Sequence, residues 1–136
     1  MVERSLQNPR HAVRAFVAGR IHGIQEEYLS STRRSVGARK LAALRHAAAK
    51  EPGSTPDIWG LEFEGMPDQL VGRFDRPSAG EYAVHGALTL YAIHQQSQSA
   101  EMCVLGWEHN LGAAIKRTIG RDPTRYESLQ SGELPR

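Results

Sequence analysis

The sequence predicts an all-α fold, a compact helical bundle of about four to five helices. Three observations carry that expectation. Apolar residues recur at three- and four-residue spacing in several long windows, the helical period. Helix-start signals precede two of them, Asn8 before Pro9 and Ser78 three residues before Glu81. Proline and glycine gather between the windows, at 51–56 and 65–77, where chains turn.

The first helix is expected from Pro9 or Arg10 to Tyr28, because proline is tolerated in a first turn and Asn8 is a good cap. Val13, Phe16, Val17, Ile21, Ile24 and Tyr28 form its apolar face, with Arg10, Arg14 and Arg20 left in water. Gly19 and Gly23, four residues apart, suggest a close helix crossing. A second helix is expected over 32–50, with Gly37, Leu41, Leu44 and Ala48 as its apolar stripe. Arg34 and Arg45 flank that stripe on one side and Arg33 and Lys40 on the other, while Arg39 points away from the core. Cations at both margins of a helix can flank a track for a phosphate backbone; they can equally be stems snorkelling along the edge of an apolar face.

Residues 51–56 read as a loop, and 57–61 as a short helical turn whose Trp59 plugs the core. A short helix at 68–74 follows, then a loop. The acidic residues here, Glu62, Glu64, Asp68 and Asp75, have no calcium-loop spacing and read as a solvated acidic loop or one facing a basic partner. The main helix runs from Ser78 to Gln96, with Val84, Ala87, Leu88 and Tyr91 on one face, widened by Ala83, Leu90 and His94. It is apolar around most of its circumference, which predicts neighbours on several sides. Gly86, which costs about 1 kcal/mol against alanine in a helix interior, is expected to admit a close neighbour. Beyond a polar connection at 95–100, a helix over 102–117 has Met102, Leu105, Trp107, Leu111, Ala114 and Ile115 as core candidates. A last short helix at 122–129 and a tail at 131–136 complete the reading, as one bundle domain over 1–130.

Charge is distributed unevenly. Residues 1–50 hold ten Lys/Arg against three acidic residues, 51–108 two against nine, and 109–136 five against three. One basic and one acidic side are expected. The single Cys103 gives no internal disulfide framework, the N-terminal sequence has no signal-peptide core, and no apolar run suits a membrane span, so a cytoplasmic protein is expected. The histidines, at 11, 22, 46, 85, 94 and 109, never show His-x3-His spacing. His85 and His94, on the apolar-rich helix, read as hydrogen-bonded core residues. No nucleophile elbow, phosphate-binding glycine loop or dinucleotide fingerprint is present, so no enzyme, metal or cofactor is expected.

The strings Ala38–Arg45, Pro56–Trp59, Ala87–Gln96 and Asn110–Arg117, in that order and spacing, resemble the CasB family, the small subunit of the type I-E CRISPR surveillance complex, Cascade. The resemblance implies an all-helical protein without enzymatic activity. It also implies other Cascade subunits and a second copy as partners, and contact with the displaced DNA strand of the R-loop or with guide RNA, in antiviral defence. Carried over to this chain, it points to Arg33, Arg34, Arg39, Lys40, Arg45, Lys116 and Arg117 as backbone contacts. His46 and Ala113 stand where the family commonly has basic residues. Family members also continue into a second helical bundle, which a chain ending at Arg136 is expected to lack. The alternative reading is a helical protein–protein adaptor without nucleic-acid contact.

Overall fold

The computed structural model describes residues 8–73 and 75–104. They form four α-helices, α1 (Pro9–Leu29), α2 (Arg34–Ala47), α3 (Trp59–Phe63) and α4 (Ala79–Gln95), with 3-10 turns at Pro56–Ile58 and Asp68–Leu70 and no strand among them. The chain divides into two units, 1–103 and 104–136, and these elements all belong to the first. The expected helices over 102–117 and 122–129 lie outside the described residues, apart from 102–104.

α1 starts as its sequence dictates: the Asn8 side chain accepts from the Arg10 amide at 3.0 Å, with proline in the first turn. Ile21, Ile24 and Tyr28 are buried and meet Leu41 and Leu44 of α2 and Val84, Leu88 and Tyr91 of α4 in one core, which Phe63, Met66 and Leu70 extend. The glycine that brings α1 and α2 together is Gly37. A Cβ there would overlap the Tyr28 backbone, whereas Cβ atoms at Gly19, Gly23 and Gly86 would meet nothing within 4 Å. The close crossings expected at those three positions are therefore not made. α2 is shorter than expected at both ends, with turns at 31–33 and 48–49, and buries Ala47 rather than Ala48.

Three expectations about large side chains are corrected. Trp59 is 54% exposed; the 3-10 turn before it puts Ile58 inside, and Phe63 follows one helical turn after Trp59. Trp59 meets Phe63 edge-on instead, ring centroids 6.4 Å apart. Met102 is also exposed. On α4, Val84, Leu88 and Tyr91 are buried, but Tyr82, Leu90, Ile93 and His94 lie exposed on the other side, so α4 is covered less completely than its composition predicts. Of the helix expected at 68–74, only the 3-10 turn at Asp68–Leu70 forms: 71–73 are not helical, and 74 lies outside the described residues.

The start of α4 uses its capping residues differently from their spacing. Ser78 accepts from the Glu81 amide at 3.0 Å, as expected, and donates to the Leu70 carbonyl at 2.5 Å. The Glu81 carboxylate takes the Gly72 amide rather than turning back to Ser78, tying the preceding loop to the helix. At the other end Gln95 is fully buried. Its amide donates to the carbonyls of Gln98 and Ala100 and accepts from the Met102 amide and the Tyr91 hydroxyl. Gln25 of α1 similarly bridges both backbone groups of Cys103, at 3.0 and 3.1 Å. Two buried glutamines thus hold the polar connection, supplying the partners that a buried loop backbone requires.

Candidate nucleic-acid interface

Five of the seven sequence-predicted contacts lie at or on α2; Lys116 and Arg117 lie outside the described residues. Successive helical positions turn by about 100°, so Arg34 and Arg45, eleven apart, come within about 20° of each other and about 16 Å apart along the axis. Both sit at one margin of the stripe Gly37–Leu41–Leu44, as expected. Arg39 lies beyond the opposite margin, and Ser35, Ala42 and His46 form an exposed strip between the pair Arg34 and Arg45 and the single Arg39. Arg33 is exposed at the N-cap.

Electrostatic partners separate these cations. Lys40 Nζ lies 2.9 Å from Glu27 Oε1, which offsets its charge, while none of Arg33, Arg34, Arg39 and Arg45 pairs with a carboxylate among the described residues. Arg34 is nonetheless held in place: its guanidinium carbon stands 4.6 Å from the Tyr28 ring centroid and a terminal nitrogen donates to the Tyr28 hydroxyl at 3.3 Å. A stacked guanidinium keeps its charge and its outward donors while losing conformational freedom in advance. Arg39 and Lys40 share a groove with Arg20 of α1 and with α3. Sequence reasoning placed Arg20 in open water. In the fold its guanidinium lies 5.0 Å from the Phe16 ring and donates to the Glu64 carbonyl. The four-residue spacing of Phe16 and Arg20 was the available signal.

The acidic segment is not wholly solvated either. Glu62 is 1% exposed, 2.5 Å from His85 Nδ1, and also takes the Gly53 amide. His85 is thus a hydrogen-bonded core residue as expected, and His94 is not. Burial raises the Glu62 carboxyl above its ordinary 4.5, with His85 and the Gly53 amide acting against that shift. A carboxyl raised in the fold holds its proton more tightly there than when unfolded, so its contribution is present below about pH 4.5 and is lost as pH rises through the folded value. Glu62→Gln should therefore flatten the fall in stability between about pH 4.5 and neutrality, read by urea unfolding across that range. Burial also raises the Cys103 thiol, with Glu101 adding to it, the reverse of the activation a thiolate nucleophile needs. Among the described residues no group of three His, Cys, Asp or Glu side chains could hold a metal, and no helix is long and apolar enough to cross a membrane.

Fold and site together define a small all-helical protein with cations on either side of one exposed helix face. The family model of CRISPR-associated protein Cse2 matches residues 40–132, and the chain belongs to that family, the CasB small subunit of the type I-E Cascade. The match includes Lys40, Arg45, Lys116 and Arg117 and begins after Arg33, Arg34 and Arg39. Comparison with curated proteins gave no match, and comparison with solved structures gave none.

Proposed function

We propose that the chain is a non-catalytic small subunit of type I-E Cascade that binds nucleic-acid backbone without sequence preference and helps hold the displaced DNA strand of the R-loop in antiviral defence. The observation that carries this reading is the exposed strip on α2, Ser35, Ala42 and His46, between Arg34 and Arg45 on one side and Arg39 on the other, with no carboxylate among the described residues paired to these three arginines. Neutralising phosphates needs clustered cations and no particular base edge. Sequence reading in an RNA-guided complex falls to guide–target pairing, so an unspecific positive track suits a subunit beside it. Lys116 and Arg117 are proposed as further contacts on the family resemblance, and a second copy and other Cascade subunits as partners in the cytoplasm.

Arg34→Glu combined with Arg45→Glu should weaken single-stranded DNA binding and make what remains less salt-dependent, at unchanged helical content. Undiminished binding by the folded double variant would remove α2 from the interface. A second reading, an adaptor that meets only protein, draws on the exposed apolar side of α4 at Tyr82, Leu90 and Ile93. A folded chain that binds no DNA even at low salt would favour it.

A further inference from the structure

We propose that the groove between α1, α2 and α3 receives an unstacked nucleobase of a single strand whose backbone lies along α2. This rests on the nucleic-acid reading above and adds to it a second kind of contact. Two adjoining hollows of about 500 and 510 Å³ share Arg20, Lys40, Leu61 and Glu64, and so form one groove. Its floor on α1 is bare backbone: Gly19 and Gly23, one turn apart, have open space where a Cβ would stand. Glycine is unfavourable in a helix interior, and here no close packing within the fold compensates for it. The space it leaves open is the groove.

The lining suits a neutral heteroaromatic ring better than a phosphate. Arg20, Arg39 and Lys40 are balanced by Glu27, Asp57 and Glu64, so there is no net positive field to draw an anion to the floor. Base edges carry both donors and acceptors, and bases stack on guanidinium planes and apolar walls. Arg20, already against Phe16, offers such a plane, and Phe16 and Leu61 supply apolar wall. Among the described residues, Glu27 Oε2 is buried without a hydrogen-bond partner, while Glu27 Oε1 holds Lys40. A carboxylate oxygen left unsatisfied costs free energy, and the amino or imino edge of a base stacked on Arg20 is the kind of donor it lacks. Arg39 lines the groove and also borders the α2 strip, so a strand on the strip can turn one base inward without leaving its phosphate contacts.

Gly23→Leu fills the groove without a clash at Cβ, and Gly86→Leu, equally free of neighbours but on α4, is its control. Affinities of the full chain would be measured for an oligothymidylate and for an abasic oligomer of equal length and charge. The expected result is that Gly23→Leu loses about tenfold in affinity for the oligothymidylate, leaves the abasic oligomer unchanged, and differs from Gly86→Leu in this. Equal effects on both oligomers, or none on either, overturn the proposal, as does a wild-type chain that binds both alike. That last outcome leaves backbone binding standing, whereas failure to bind either oligomer removes both readings. Unchanged DNA affinities with lost assembly into the complex would give the groove to a protein neighbour and overturn the proposal.

Discussion

Gly37→Ala should destabilise the chain by about 3 kcal/mol, although alanine is the better helix former by about 1 kcal/mol. The added methyl would meet the backbone of Tyr28, with the Tyr28 Cβ at 2.9 Å, and no rotamer change can move a backbone aside. α1 and α2 must separate, loosening the contacts that bury Ile24, Leu41 and Leu44. Separation also shifts Tyr28 from beneath Arg34, so the variant should bind DNA less well at temperatures where it remains folded. Gly19→Ala and Gly86→Ala, with open space at Cβ, should instead stabilise by up to about 1 kcal/mol. Chemical denaturation of the three variants gives the comparison, and equal stabilisation of all three would show that α1 and α2 do not cross at Gly37.

Gln95→Leu should cost about 1–3 kcal/mol despite exchanging an amide for an apolar group in the core. The carbonyls of Gln98 and Ala100, both exposed residues, can turn to water. The Met102 amide and the Tyr91 hydroxyl lose the oxygen they share, and Tyr91 is buried. The exposed Met102 can turn its amide to water, whereas a buried donor left without a partner, here the Tyr91 hydroxyl, costs about 1–3 kcal/mol. The loss should appear in urea unfolding and as faster hydrogen exchange at the Met102 amide, with α1 and α2 amides less affected. A neutral or stabilising substitution would mean that the connection after α4 is not held by this side chain.

Periodicity made the helices legible, because burial of one face is written locally at three- and four-residue spacing. α1 and α4 begin at the caps the sequence announces, and Leu41, Leu44, Val84 and Leu88 face inward as their phase requires. Helix phase does not say where two helices cross, so the paired glycines Gly19 and Gly23 were the obvious candidates, while the contact fell to the single Gly37. Trp59 read as a core plug by size, but the turn at Pro56–Ile58 settles which neighbour points inward. Glu62 and His85 stand 23 positions apart, and no local pattern links them. Gln95 looked like the start of a polar loop and is its internal anchor. The cations of α2 were legible in type and margin, whereas the pairing of Lys40 with Glu27 and the seat of Arg20 on the α1–α3 groove are tertiary facts.

Binding of the full chain to labelled single-stranded DNA across a salt series tests the central claim most directly. Neutralisation of about four to six phosphates predicts that log affinity falls linearly with log salt, at a slope near −3 to −4. A slope near zero, or no binding by a folded chain at low salt, would contradict a backbone-binding role for the cations of α2.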